Sequence, residues 1–508
     1  MSIDPCTPVV VGAAALVERF EDPREGSEPL ELMARVLERA AEDAGSKALL
    51  PAVDAIQVPR GFWDYRDPGR LLAERFGASG ARTAVAEIGI LQTSLLGRAA
   101  QAIAEGRSEV AMIVGAEARD HASRLARQGL EMALTSQGEG VAPDEVLRPT
   151  AEIMGRLEIE LGLVTPVIQY ALIDNALRAA EGQSIEAHRA ELGALWADFN
   201  RVAVASPEAW MREPMNAEAI ARPGDANRLL AFPYTKWLVS QWNVNQAGGL
   251  ILCSYDRARR LGLDASRFVY PRAVVDSEHM VTLSERRALH RSPGFRCVGD
   301  RLTQHLGQDL AAIDHLELYS CFPAAVRVQQ RELGLDRTRS ATQTGGMTFG
   351  GGPLNNFVLQ GWAAMVRRLR AEPGTTGLVT AISGLLTKQG ASVLGPEPSR
   401  PFLFDHVTEA VAAAHETVKV EPGARGRARV ASYTVGRIGA AADGVALLLD
   451  LDDGRRSLRV VDDPALAARG LREELCGREV ELGAGNQTGH GTGDRTGDAT
   501  GDAMRWLS

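Results

Sequence analysis

The sequence predicts a layered α/β protein with two related halves, a helical region inserted between them, and a small antiparallel β domain towards the carboxy terminus. Three observations carry this expectation. Apolar strands alternate with helical patterns from residue 8 to residue 115, the alternation returns after about residue 276, and short strands with close turns take over from about residue 419. A chain of 508 residues, 45% apolar and 24% charged, is long enough to bury a large core shared by two or three packed domains.

The elements follow in chain order. Pro8-Val9-Val10-Val11-Gly12-Ala13-Ala14 reads as a buried strand entering a Gly turn, and residues 28–44 carry apolar side chains at helical spacing. Residues 95–105 read as a helix that Gly106 ends, and residues 109–115 as a core strand. Strand, helix and strand at this spacing predict a parallel sheet. Residues 119–245 are richer in helix formers, charges and tryptophans (Trp196, Trp210, Trp237, Trp242) and are expected to cap the core as an insertion. Residues 249–253 and 268–275 return to the sheet. The second α/β unit has its strands at 315–319 and 377–382. Runs at 428–435, 444–451, 457–461 and 479–482 predict a small antiparallel barrel or sheet. Beyond them, repeated Gly, Thr and Asp cannot bury enough surface to order, so 483–508 is expected to be a disordered tail. The expected boundaries are 1–118, 119–245, 246–275, 276–418 and 419–482, followed by that tail.

Composition excludes several classes. A net charge of -9 and a pI near 5.6 argue against general binding to nucleic acid or to an anionic membrane. No basic segment followed by an apolar stretch opens the chain, and no apolar run approaches the roughly 20 residues that span a bilayer, which predicts a cytoplasmic location. Cys6, Cys253, Cys297, Cys321 and Cys476 are few, odd in number and widely spaced, so neither a disulfide framework nor a metal site is expected. No HExxH pattern is present.

The most informative stretch is Thr344-Gly345-Gly346-Met347-Thr348-Phe349-Gly350-Gly351-Gly352-Pro353-Leu354-Asn355-Asn356. It resembles the thiolase active-site loop, Ser-Gly-Gly, four variable positions, then Gly-His-Pro-Leu-Gly; aligned on Pro353, Gly352 stands where the histidine would be. Residues 103–106 through Val114-Gly115-Ala116-Glu117-Ala118 resemble the thiolase helix-strand unit ending in Gly-x-Glu. Glu317-Leu318-Tyr319-Ser320-Cys321-Phe322-Pro323 resembles the His-Asp-Cys-Phe element of sterol-carrier-protein-type thiolases. Phe232-Pro233-Tyr234-Thr235-Lys236, Trp242-Asn243-Val244-Asn245-Gln246-Ala247, Thr387-Lys388-Gln389 and the extra β domain look like the bacterial thiolase-like proteins of type 1, often catalogued as acetyl-CoA acetyltransferases. The resemblance covers about residues 5–480. It implies a duplicated thiolase fold in α-β-α-β-α layers, with an inserted helical loop domain and a small carboxy-terminal β-barrel, OB-like, domain.

Thiolase chemistry needs an activated cysteine, a second cysteine that moves a proton, and donors for an enolate or thioester oxygen. Counted back from Gly106, the nucleophile falls at Gly89 or Ile90, where there is neither thiol nor hydroxyl; Thr93 and Ser94 lie on what should be the following helix. Tyr319 replaces the histidine of His-Asp-Cys-Phe, and Ala381 the cysteine of the Cys-x-Gly element whose later part is Ser383-Gly384. Tyr319 and Cys321 are therefore the candidate catalytic groups, each set against a plain reading as a strand-end phenol bonded to backbone and a packed thiol. Phe322, Gly351, Gly352, Asn355, Asn356 and Gly384 are the candidate substrate and CoA-binding residues. Asn355 and Asn356 serve either the turn itself or, as amides, a thioester oxygen. His279 and His290 are read as surface or hydrogen-bonded histidines. The glycine run lacks the spacing of a nucleotide loop.

The resemblance implies an acyltransferase-type protein that takes CoA or an acyl-CoA as substrate or ligand, with no tightly bound cofactor, as a monomer or homodimer. A retro-aldolase acting on a hydroxyacyl-CoA is the alternative from another reaction class, because it needs only an acid, a base and oxyanion donors. A non-catalytic CoA-ester carrier or sensor is the third.

Overall fold

The computed structural model describes residues 3–398, 401–483 and 504–507. Two mixed sheets face each other across a central helical layer. The first has the order Pro8–Val17, Asn245–Ser254, Val110–Ala118, Ala55–Pro59, Arg82–Ala86, Glu145–Leu147; the second has the order His315–Glu317, Gly377–Ser383, Lys388–Gly395, Tyr270–Ser277, Leu403–His406. Neither is purely parallel as the spacing predicted. Asn245–Ser254 runs antiparallel to both Pro8–Val17 and Val110–Ala118, because it returns from the insertion and not from a crossover helix. Its counterpart Lys388–Gly395 is also antiparallel to both its neighbours, here because it follows Gly377–Ser383 through a tight turn.

The central layer is made by Gln92–Ala104 and Phe357–Ala371. Both are buried along most of their length, as helices covered by sheets on two sides must be. Leu95, Leu96, Ala99, Ile103, Val358, Leu359, Trp362 and Met365 form one cluster with strand residues of both sheets, and the indole of Trp362 donates to the Ser392 hydroxyl at 2.9 Å. Outer helices are instead one-sided: Pro29–Asp43 covers the first sheet and Pro293–Leu306 the second. The result is five layers, α-β-α-β-α.

The insertion supplies Pro166–Ala180 and Ile185–Ala205, whose apolar faces join the core beneath the second sheet. Its short strand Leu229–Ala231 reaches into the carboxy-terminal β domain and pairs with Gly426–Ile438. That domain has the antiparallel order Arg456–Asp462, Ala441–Leu451, Gly426–Ile438, Glu479–Leu482, Met504–Trp506. The last of these strands departs from the expected disordered tail. Composition weighed the Gly, Thr and Asp repeat, most of which lies outside the described residues, and passed over the apolar end. There Trp506 pairs with Val480 and lies under the Arg469 guanidinium at 4.9 Å.

Candidate functional site

Residues from both halves and the insertion meet around the glycine-rich loop. Glu317, at the end of its strand and 1% exposed, anchors the start of that loop. Its carboxyl accepts from the amides of Gln343 (2.6 Å) and Thr344 (2.9 Å) and from the hydroxyls of Thr342 and Thr344. Burial nevertheless pushes this carboxyl up to about 7. The Thr342 hydroxyl in turn accepts from the amides of Gly345 and Gly346, and Ser320 Oγ from that of Met347, so the chain winds into a π-helical turn over Gly346–Gly350.

The loop is then closed from above by residues 239–241. Ser240 N donates to the Cys321 carbonyl (3.1 Å), Gln241 N to that of Met347 (3.0 Å), and Gly352 N to that of Gln241 (2.9 Å). At Gly352, where a thiolase histidine would stand, a Cβ would overlap the Ser240 hydroxyl. Gly351 has φ of +107°, and a Cβ there would strike the Gln246 amide, which donates to the Gly350 carbonyl at 2.7 Å. Both candidate glycines are thus occupied by packing of the loop against the strand entry at Asn245–Ser254.

Gly89 has φ of +108° and is covered by Pro149 of the insertion, in contact distance of where a side chain would begin. No thiol or hydroxyl stands there. Thr93 and Ser94 are on the first turn of Gln92–Ala104, but Ser94 Oγ donates to Asp276 at 2.6 Å and Thr93 Oγ1 is buried against Gly390. Neither hydroxyl is placed to replace the missing cysteine.

Cys321 and Tyr319 do come together, with a third group that sequence reasoning missed. Tyr170, from the insertion helix, brings its hydroxyl to the Cys321 thiol and stacks on Phe322, ring centroids 4.4 Å apart; Tyr234 flanks the other side of Phe322 at 5.4 Å. Phe322 is therefore held in an aromatic stack. Burial pushes the Cys321 thiol up to about 12, against the lowering effect of Tyr170, so it stays protonated near neutrality. Burial also raises the phenols of Tyr319 and Tyr170. Tyr319 is half-buried, its backbone fixed by Thr380 Oγ1 (2.8 Å to its N) and Gln329 Nε2 (2.8 Å to its O), its ring edge-on to Phe357.

A buried cation completes this face. Arg286 is 1% exposed and donates to the carbonyls of Val281 (3.2 Å) and Gly384 (3.3 Å), and burial lowers its guanidinium to about 10. Gly384 opens a run of three left-handed residues, continued by Leu385 (φ 55°) and Leu386 (φ 76°), an unfavourable conformation for leucine of about 1 kcal/mol or more each. His415, driven down to about 4 by burial and then by Arg286, lies 5.4 Å from the ring of His279, itself lowered by burial. His290 has a different set of charged neighbours, Arg331, Arg291, Glu332 and Glu181.

Asn355 and Asn356 sit at the loop exit, before Phe357–Ala371. Gln92 Nε2 donates to the Asn355 carbonyl (2.9 Å) and to its side-chain oxygen. Gln92 Oε1, Asn355 Nδ2, Asn356 Oδ1 and Gln246 Oε1 are all buried without a hydrogen-bond partner among the described residues. Four orphaned polar atoms on three adjoining elements are a concentration that ordinary cores avoid.

No protein-family model and no curated protein matches this sequence. Solved structures do. The monomeric SCP2-thiolase-like protein type 1 of Mycobacterium smegmatis is 25% identical, with a TM-score of 0.80 over 99% of this chain and 100% of that one. The fold is that of a thiolase. A dimeric peroxisomal thiolase of Saccharomyces cerevisiae (15% identity, TM-score 0.56, 78% of this chain and 99% of that one) and an Ltp2-ChsH2(DUF35) aldolase (20%, 0.57, 77% and 98%) share the fold. Within this thiolase fold, Arg286, Tyr170 and Gln92 escaped the sequence reading because each reaches the site from a segment carrying no recognisable motif.

Proposed function

We propose that the protein is a thiolase-like, acyltransferase-type protein that binds CoA thioesters beside the glycine-rich loop and does not pass through an acyl-cysteine. The observation that carries this reading is the set of orphaned polar atoms of Gln92, Asn355, Asn356 and Gln246. They offer donors and acceptors to an amide- and carbonyl-rich ligand such as a thioester with its pantetheine arm, while the nucleophile's position falls at Gly89 or Ile90 and the loop histidine's at Gly352. Cys321, with its thiol protonated, serves as a donor and not as a nucleophile.

The clustering of Tyr319, Tyr170 and Cys321 favours a second reading, a retro-aldolase acting on hydroxyacyl-CoA. Three neutral proton-bearing groups suit proton transfer at a β-hydroxyl and donation to the enolate oxygen. One experiment tests both readings. Purified protein is incubated with CoA and a panel of 3-oxoacyl- and 3-hydroxyacyl-CoA esters, and products and protein mass are followed by mass spectrometry. Shortened acyl-CoA supports the transferase, and a released aldehyde or ketone supports the lyase. Tyr319→Phe and Cys321→Ala are expected to abolish product while changing ester binding by less than about tenfold, or about 1.4 kcal/mol. Full activity in both variants would remove these residues from the chemistry.

A further inference from the structure

Lys388 is one of only four lysines among 56 basic residues. Lys47 and Lys419 are surface residues, 71% and 76% exposed, and Lys236 lies half-buried on the Trp237 ring. Lys388 is 0% exposed. It begins the strand Lys388–Gly395, and its stem passes Gly384 on the way to the other half of the molecule, where Nζ reaches the Gly89 carbonyl at 3.3 Å. No carboxylate pairs with it among the described residues, although the charge of Glu278 acts on it from a distance. Structural ammonium groups are rarely left in this condition, since a buried charge costs several kcal/mol unless paired. A chain that uses arginine at almost every basic position has here kept the one basic side chain able to lose its proton.

The surroundings supply a way in. Residues 89 and 90 form a shared boundary: Lys388 is behind Gly89, while Ile90 lines a cleft of about 290 Å³ together with Ser94, Arg98, Glu278 and His406. Gly89, whose carbonyl holds Nζ, is thus the immediate chain neighbour of a cleft-lining residue. The amine lies between Gly89 and the left-handed run 384–386.

We infer that Lys388 is a reactive amine that condenses reversibly with a small aldehyde or ketone to form an imine. The nitrogen lone pair attacks the carbonyl carbon as the C=O pair moves onto oxygen. From the resulting carbinolamine, the oxygen leaves with the two amine hydrogens as water, and a C=N bond to Nζ remains. Burial, which lowers the pKa of Lys388, favours the neutral amine that this step requires. The inference goes beyond the thioester reading and does not depend on it, because its carbonyl probes contain no CoA.

Full-length protein is incubated at neutral pH with butanal or butanone and sodium cyanoborohydride, which reduces imines, and then mapped by peptide mass spectrometry. The expected result is a peptide containing Lys388 that gains the mass of the carbonyl compound less one oxygen atom, formed at least about tenfold faster than adducts on the exposed Lys47 or Lys419. Lys388→Arg keeps a cation and removes this adduct. Labelling of the exposed lysines or the amino terminus with Lys388 unmodified overturns the inference, and so does labelling of Lys388 at only their rate. Failure of the CoA esters to bind would leave this result unaffected, so the two ideas fail separately.

Discussion

Asp276 is fully buried, and its two carboxylate oxygens are divided between the Ser94 hydroxyl and the His406 ring, the latter half-exposed at the cleft. The bond to Asp276 is the main reason the His406 imidazole is raised above its ordinary 6.5. The fold therefore favours the imidazolium. Its contribution to stability is complete below the unfolded value and is lost as pH rises through the higher folded one. The midpoint of urea unfolding should fall as pH is raised from about 6 to about 9, and His406→Gln should flatten that slope. An unchanged slope in the variant would show that other groups set it. Tyr170 teaches a related lesson at this scale. Its sequence surroundings are an unremarkable amphipathic helix, and only the fold brings its phenol to Cys321, 151 positions later.

The strand Glu145–Leu147 is three residues long, yet it closes an edge. It pairs in parallel with Arg82–Ala86, the outermost strand of the first sheet, and Arg98 clamps Glu145 with both contacts at 2.7 Å. An uncovered edge of buried, β-branched residues is a template for pairing with another chain. Leu147, whose carbonyl accepts from the Glu87 amide, faces this partner strand, so Leu147→Pro removes a ladder donor from the cover and is expected to raise self-association above that of the parent in analytical ultracentrifugation. A variant no more associated than the parent would show that the edge is protected otherwise. This strand was invisible in the sequence, for three residues within a polar stretch carry no periodicity. The long strands and the first central helix were legible because burial on two sides leaves an apolar signature, as in Val110–Ala118; the second central helix, Phe357–Ala371, was not read from the sequence. The glycine-rich loop was legible as a motif, but its closure by residues 239–241 was not, since nothing local to Ser240 records what lies opposite.

Across the whole molecule, the insertion acts as the joint between the thiolase fold and the β domain. Asn175 donates to the carbonyls of Phe232 and Tyr433, and Arg178, with its side chain fully buried, lies against both of those rings and bridges to Glu474 at 2.9 Å. The same helix carries Tyr170, so the element that holds the β domain also presents the side chain that touches Cys321. Arg178→Ala leaves Glu474 and Asn175 without their partner and is expected to cost about 3 kcal/mol in chemical denaturation, the lower end of the usual range because Glu474 is partly exposed. A loss within about 0.5 kcal/mol would mean that the interface rests on its apolar contacts alone.

The hydroxyl of Ser240 in the space above Gly352 bears on reversibility. Installing a histidine at position 352 would collide with a neighbour already settled there, and trimming Ser240 alone would leave the loop no better equipped for thiolysis. A histidine there would need the Ser240 hydroxyl to turn aside or be removed, and the nucleophile's position at Gly89 or Ile90 would still carry no thiol. The site is therefore more than one substitution away from ordinary thiolase chemistry, and any designer seeking to restore it would have to change both loops.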